Sequence, residues 1–224
     1  SISFTPRRSA VRSRQQAYLI CDMKFPYICI DNFYTKEECE AIWQEIEFLS
    51  HPHKWSTPED DLATPKDNPN DGAVDPDGKQ LKRNKFLWFD DLYKIRELSN
   101  ILCLNRKLFY VAPWKTHDHW MFKTFKCLRD TTLLSCYDFD GSEYKLHNDK
   151  SYLTCLTWFY QEPKKYEGGD LVLKDENDIV MIESLNNRLL IFPSIIQHQV
   201  TPLKFNGTKM TDGRYCMTQF LHYE

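Results

Sequence analysis

From residue 133 onward the chain is a series of short apolar runs broken by turn signals, and no other feature restricts the fold as strongly. The runs fall at 133–137, 152–160, 170–173, 179–182, 188–192 and 214–222. Asp140-Gly141, Gly168-Gly169 and Asn186-Asn187 stand between them. Apolar segments this short, punctuated by residues that favour tight turns, read as strands rather than helices.

The first half of the chain differs. Residues 25–34, Phe-Pro-Tyr-Ile-Cys-Ile-Asp-Asn-Phe-Tyr, read as a short strand entering a turn. Thr35 and Glu38 form a capping-box pattern, and Cys39, Ile42, Trp43, Ile46 and Leu49 follow at helical spacing before Pro52. From about 51 to 82 the chain turns to Pro, Asp, Asn and Gly, a loop long enough to act as a lid over a site; its acids lack the spacing of a calcium loop. Phe86–Phe89 reads as a strand, and Asp91 to about Phe109 as a second helix with Leu92, Ile95, Leu98 and Leu102 on one face. Helices first and short strands after predict an α+β, mainly β fold. Its core is a double-stranded β-helix (jelly-roll, cupin-like) over about 131–224, with helical support and the lid loop over about 1–130, in a single domain spanning 1–224.

Composition narrows the function classes. A net charge of −3 and a pI near 6.2 argue against coating nucleic acid or an anionic membrane. Arg7, Arg8, Arg12 and Arg14 cluster near the start and read as a solvated terminus. No apolar run approaches the roughly 20 residues that span a bilayer, and the first stretch lacks the apolar segment of a secretory leader. The eight cysteines form no C-x-x-C pair and mostly sit in apolar runs, as in Ile28-Cys29-Ile30, which predicts reduced core thiols and a cytoplasmic setting.

His147-Asn-Asp149 places an imidazole and a carboxylate two residues apart, so at strand spacing both reach one side of the backbone and can share a metal. His198, in Phe192-Pro-Ser-Ile-Ile-Gln-His-Gln-Val200 at the end of a strand, supplies a third ligand. Two histidines and one carboxylate leave open coordination positions, the arrangement suited to non-haem Fe(II) with a bidentate co-substrate and O2. Asp212-Gly-Arg214 then opens a strand; beside the strand of His198, its guanidinium could grip a distal carboxylate in a fork. Lys204 and Lys209 are rival anchors. His51, His53, His117 and His119 read as surface or packing residues.

Residues 136–222 resemble the catalytic core of the prolyl 4-hydroxylase-type 2-oxoglutarate/Fe(II) dioxygenases. The motifs run in order: Cys136–Tyr144, His147-x-Asp149, Leu153–Tyr160, Gly168–Leu173, Asn187–Pro193, His198-x-Val200-x-Pro202 and Gly213-Arg214. Lys82–Trp88 resembles the family's substrate-side strand more loosely. The resemblance implies Fe(II) held by His147, Asp149 and His198, with 2-oxoglutarate and O2 as co-substrates and ascorbate as an accessory. It implies Arg214 as the oxo-acid anchor, Tyr137 pointing its hydroxyl at that acid, Trp158 standing where the family often has a tyrosine, and Val200 and Leu171 lining the slot. Arg214 lies farther beyond His198 than the family's basic residue usually does; the extra length, Lys204–Asp212, reads as an elongated hairpin loop. Asp149 fits hydroxylases rather than the related halogenases, which carry a small residue there. The implied substrate is a prolyl residue of a peptide or protein. A free amino acid or small metabolite, and a non-catalytic cupin-like metal-binding protein, stand as alternatives.

Overall fold

The computed structural model describes residues 26–223 apart from 52–53, 60–76, 78, 128 and 176–177. The basic N-terminal cluster, His53 and most of the expected lid loop lie outside the described residues. Strands are β1 (Ile28–Ile30), β2 (Lys82–Arg83), β3 (Lys85–Trp88), β4 (Arg129–Tyr137), β5 (Ser142–His147), β6 (Leu153–Phe159), β7 (Tyr166–Gly168), β8 (Leu171–Lys174), β9 (Ile179–Ile182), β10 (Leu189–Pro193), β11 (Gln197–Phe205) and β12 (Arg214–His222). They form two antiparallel sheets. The first has the order β1-β10-β6-β12-β4-β3, the second β2-β5-β11-β8-β9, with β7 also on β11. This is the expected jelly roll.

The first sheet is apolar on both faces because both are covered. Leu156 and Trp158 of β6 point between the sheets, where they join Leu171, Leu173 and Val200. Cys155 and Phe159 point the other way, toward Ile42, Ile46, Ile101 and Leu108 of the helical support. Every residue of β6 and β10 is therefore buried. That burial erases the alternation that marks a sheet with one wet face.

Helix α1 (Lys36–Leu49) has the expected capping box at Thr35 and Glu38, and it buries Ile42, Ile46 and Leu49. The long helix expected from Asp91 does not form. The chain breaks into short turns at Phe89–Leu92, Arg96–Leu98, Asn100–Leu104 and Lys107–Val111. Ser99 accepts from the Leu102 N–H and starts a new turn, while Leu92, Ile95 and Leu98 stay exposed. The apolar spacing was helical, but among the described residues nothing covers Leu92, Ile95 and Leu98, and of that face Leu102 alone is buried. Buried Glu45 ties these turns to α1: one carboxylate oxygen accepts from the Ser99 hydroxyl at 3.1 Å and the Ile101 N–H at 2.8 Å.

Two local expectations are corrected. His198 stands near the start of β11, not at the end of a strand, because the chain turns at Ser194-Ile195 after β10. Residues 206–213 do not close a hairpin within one sheet; they carry the chain from β11 across to β12 in the opposite sheet.

Replacing Glu45 with Ala should cost about 1–3 kcal/mol, since two buried donors lose their acceptor. A lower urea midpoint with an unchanged slope is the expected result; an unaltered midpoint would show that the packing of α1 does not depend on this carboxylate.

Candidate active site

The space between the sheets narrows to a cleft lined by Tyr137, Tyr144, His147, Asp149, Leu156, Leu171, His198, Val200, Arg214 and Thr218, among others. Strand register builds it. His147, the last residue of β5, is the Cα partner of His198 on β11. Asp149 follows just past the strand, and its N–H donates to the Ser194 carbonyl at 3.2 Å, which turns its carboxylate back toward the imidazoles. One ligand atom from each of His147, Asp149 and His198 lies within 4.8 Å of the others. Asp149 oxygens stand 3.7 Å from His147 Nε2 and 3.4 Å from His198 Nε2.

The outer partners aim these groups. His147 Nδ1 lies 2.7 Å from the Lys145 carbonyl and His198 Nδ1 3.0 Å from the Ile196 carbonyl, so each Nδ1–H has an acceptor and each Nε2 is left to face the centre. The Thr154 hydroxyl donates to Asp149 Oδ2 at 2.6 Å. Tyr144 stacks on His147 with ring centres 3.5 Å apart, and Phe192 meets His198 edge-on at 4.9 Å. Burial, reinforced by His198, depresses the His147 pKa to about 3. Burial works against ionisation of Asp149, but the adjacent His198 outweighs it and lowers the pKa to about 2. Burial likewise opposes protonation of His198, and attraction to Asp149 prevails and raises its pKa. A divalent ion at this point would take the place of that proton.

Arg214 closes the other end of the cleft. It has no exposed surface, and none of its three guanidinium nitrogens has a hydrogen-bond partner among the described residues. The guanidinium lies 4.8 Å from the Tyr137 ring centre and 5.9 Å from that of Trp158. It does not reach the cleft from beside the strand of His198: β12 belongs to the opposite sheet, between β6 and β4, so Arg214 faces the imidazoles across the sandwich. Trp158 Nε1 and the Tyr166 hydroxyl are also buried without a partner. Burial pushes the Tyr137 hydroxyl up to about 12 and raises that of Tyr166, with Arg214 opposing both shifts, so both phenols stay protonated donors. Three donors around one buried cation, with no anion among the described residues, fit an acidic ligand. The rival anchors lie elsewhere: Lys204 is exposed and meets Glu167 at 3.4 Å, and Lys209 sits in the exposed turn closed by Asp212.

Tyr166, Thr154 and Tyr144 were not singled out from the sequence. Thr154 was accessible, because Thr154, Leu156 and Trp158 alternate along one strand and must share a face. Tyr166 comes from β7, a three-residue strand with no apolar run to announce it.

A jelly roll with two histidines and one carboxylate meeting inside it defines a mononuclear metal site of the non-haem iron class. Residues 132–222, less than half of the chain, match the model of the 2OG-Fe(II) oxygenase superfamily. The family implies Fe(II), 2-oxoglutarate and O2, and His147, Asp149 and His198 could bind the iron. The chain is 27% identical over 99 residues to an uncharacterized PKHD-type hydroxylase of Synechocystis; the match covers 37% of this chain and 33% of that protein. In fold it is similar to a prolyl hydroxylase from Trichoplax adhaerens, in complex with a peptide fragment of the oxygen degradation domain of hypoxia inducible factor. That likeness has a TM-score of 0.63 and 19% identity, over 89% of this chain and 84% of that one. A prolyl-4-hydroxylase from Pseudomonas putida follows with a TM-score of 0.52 and 12% identity, over 89% and 94% of the two chains. Among the described residues no helix is long and apolar enough to cross a membrane.

Replacing Arg214 with Ala should weaken 2-oxoglutarate binding by about 2–4 kcal/mol, taking a lost buried charge pair as guide, while metal binding persists and Lys204→Ala changes little. Thermal shift with 2-oxoglutarate reads this without turnover: the wild type gains stability and the Arg214 variant does not. Gly169 has φ +72°, and a Cβ there would come 2.8 Å from Arg214 Cδ. Gly169→Ala should therefore reduce 2-oxoglutarate affinity and leave the metal in place.

Proposed function

We infer that the protein is a 2-oxoglutarate-dependent hydroxylase that inserts one oxygen atom into a C–H bond of a peptidyl substrate, with a prolyl residue as the target. One observation carries the reading: a convergent His147/Asp149/His198 set and a buried Arg214 with no counterion among the described residues face each other across a single cleft. In the reaction, 2-oxoglutarate and O2 are converted to succinate and CO2, with one oxygen atom entering succinate and the other becoming the substrate hydroxyl.

The bound iron supplies O2 activation and the oxidising power; the chain supplies position. The two Nε2 atoms and Asp149 would hold the metal on one side and leave the other side open. Thr154 and the Lys145 and Ile196 carbonyls fix those three groups. Arg214, with Trp158 Nε1 and the Tyr137 and Tyr166 hydroxyls nearby, would hold the far carboxylate of 2-oxoglutarate, while Val200 and Leu171 would flank its chain and exclude water. A non-catalytic metal-binding role would leave Arg214 a buried charge with no partner, at a cost of several kcal/mol.

Support for a prolyl target comes from the mouth. Trp88 is 37% exposed and is the Cα partner of Leu133, a cleft residue. Its ring lies 5.9 Å from that of Phe220, which also lines the cleft. Two aromatic faces make a dry, flat seat for a saturated ring. The Trichoplax neighbour, named as a prolyl hydroxylase bound to a peptide, is consistent with this. The described cysteines, Cys29, Cys39, Cys103, Cys127, Cys136, Cys155 and Cys216, are all free thiols, which supports a reducing, cytoplasmic setting.

Succinate release from 2-oxoglutarate with added Fe(II) tests the chemistry, and mass spectrometry of prolyl peptides tests the substrate by the gain of one oxygen atom. Wild type should show both, and His198→Ala neither. Trp88→Ala should raise KM for the prolyl peptide about tenfold, the loss of roughly 1.4 kcal/mol of contact, with little change in succinate release in the absence of peptide. Succinate formation without hydroxylation of any prolyl peptide would point to a non-prolyl substrate.

A further inference from the structure

Asparagines held inside this fold are paired. Asn187 accepts from the Tyr34 N–H at 2.8 Å and donates to the Tyr34 carbonyl at 2.7 Å, and Asn105 donates to the Thr132 hydroxyl at 2.9 Å. Asn84 is different. It is 2% exposed, and neither Nδ2 nor Oδ1 of its amide has a hydrogen-bond partner among the described residues. A buried donor and a buried acceptor left unmade carry their full desolvation penalty, which an apolar side chain of the same size would avoid. An amide retained there calls for a partner that the folded chain alone does not supply.

Its place in the fold points to that partner. β2 ends at Arg83 in the second sheet and β3 begins at Lys85 in the first, so the chain crosses the sandwich at Asn84. Lys85 is the Cα partner of Cys136 on β4, and its ammonium meets Asp138 at 2.6 Å. One residue further along the same antiparallel register sets Asn84 against Tyr137, which is in turn the Cα partner of Arg214 on β12. Three neighbouring strands thus put Asn84, Tyr137 and Arg214 in one row. Period-two alternation places Asn84 on the face of Phe86 and Trp88, where Trp88 meets the cleft wall at Phe220. Leu87 points the other way, into the core of the helical support. Tyr137 lines the cleft and Asn84 stands behind it. Burial pushes the Tyr137 hydroxyl up, and Arg214 and, less strongly, Asn84 oppose it. An amide lowers a phenol by donating to its oxygen.

We propose, on the hydroxylase reading above, that Asn84 is a positioning residue for the co-substrate. Its Nδ2 donates to the Tyr137 hydroxyl oxygen and so turns the phenolic proton toward the far carboxylate of 2-oxoglutarate at Arg214. A phenol has one proton to give and an oxygen that accepts. With that oxygen accepting from Asn84, the proton is free for the anion. The opposite orientation of the amide would spend the proton on Oδ1.

The test is binding of 2-oxoglutarate to the full chain loaded with Mn(II), followed by calorimetry without turnover, in wild type, Asn84→Leu, Tyr137→Phe and the double variant. Leucine nearly keeps the volume and removes both unpaired atoms, so Asn84→Leu should unfold, without ligand, at the wild-type temperature or above it. Its Kd for 2-oxoglutarate should rise about fivefold, the scale of one lost hydrogen bond, and that of Tyr137→Phe about tenfold, the scale of one to a charged group. The double variant should bind no more weakly than Tyr137→Phe, because the amide acts only through the phenol. Mn(II) affinity should be unchanged throughout. Effects that multiply in the double variant, or wild-type 2-oxoglutarate affinity in Asn84→Leu, overturn the proposal. So does an equal loss of Mn(II) affinity, which would make Asn84 a structural amide. If Asn84→Leu does not fold, Asn84→Asp takes its place: the isosteric carboxylate has no proton to donate, and wild-type affinity in that variant also overturns the proposal. A wild type that binds Mn(II) but no 2-oxoglutarate would instead defeat the hydroxylase reading itself.

Discussion

A guanidinium with no exposed surface and no partner among the described residues organises this molecule. Taking an isolated charge out of water is expensive, and a fold tolerates it only where the surroundings hold it rigidly and a counter-charge arrives from outside. Arg214 is held by the Tyr137 and Trp158 rings, by the close approach of Gly169 and by its place at the head of β12. The same cleft ends at three side chains suited to a divalent cation. On the reading proposed above, a small diacid with an α-keto group would meet both ends at once, and the spacing between the sheets would act as a gauge for the co-substrate.

Covering the first sheet on both sides makes that gauge rigid. The helical support packs on its outer face and the second sheet on its inner face, so β6, β10 and β12 cannot shift without disturbing two cores. β6 contributes to both: Thr154 and Trp158 serve the cleft while Cys155 and Phe159 anchor the strand outward. The polar groups that aim the metal-facing side chains are mostly backbone carbonyls and small hydroxyls. Such groups have few rotamers and lose little entropy on ordering.

The mouth is less uniform. Trp88 and Phe220 form an aromatic wall there. Both stand toward the ends of their strands. Such positions are free to vary without disturbing the core, and there a jelly roll acquires its choice of substrate.

The sequence by itself determined the elements whose signals are local. The capping box at Thr35, the strand runs from 133 onward, the two-residue spacing of His147 and Asp149 and the glycine pair at 168–169 can all be read from neighbours in the chain, because turns, caps and period-two alternation are short-range physics. The helix expected from Asp91 failed for the complementary reason: apolar spacing at Leu92, Ile95 and Leu98 states a preference, and only a packing partner makes it a helix. The order of the candidate ligand residues was legible through resemblance, yet the sequence could offer β12 beside the strand of His198 only as a condition, and the fold places it in the opposite sheet. Which strands face each other is set by crossovers and by two-sided burial, contacts between residues far apart in sequence. For the same reason Tyr166 and the bond from the Asp149 N–H to the Ser194 carbonyl became visible only in three dimensions. Each joins residues that carry no signal toward one another until the sheets have closed.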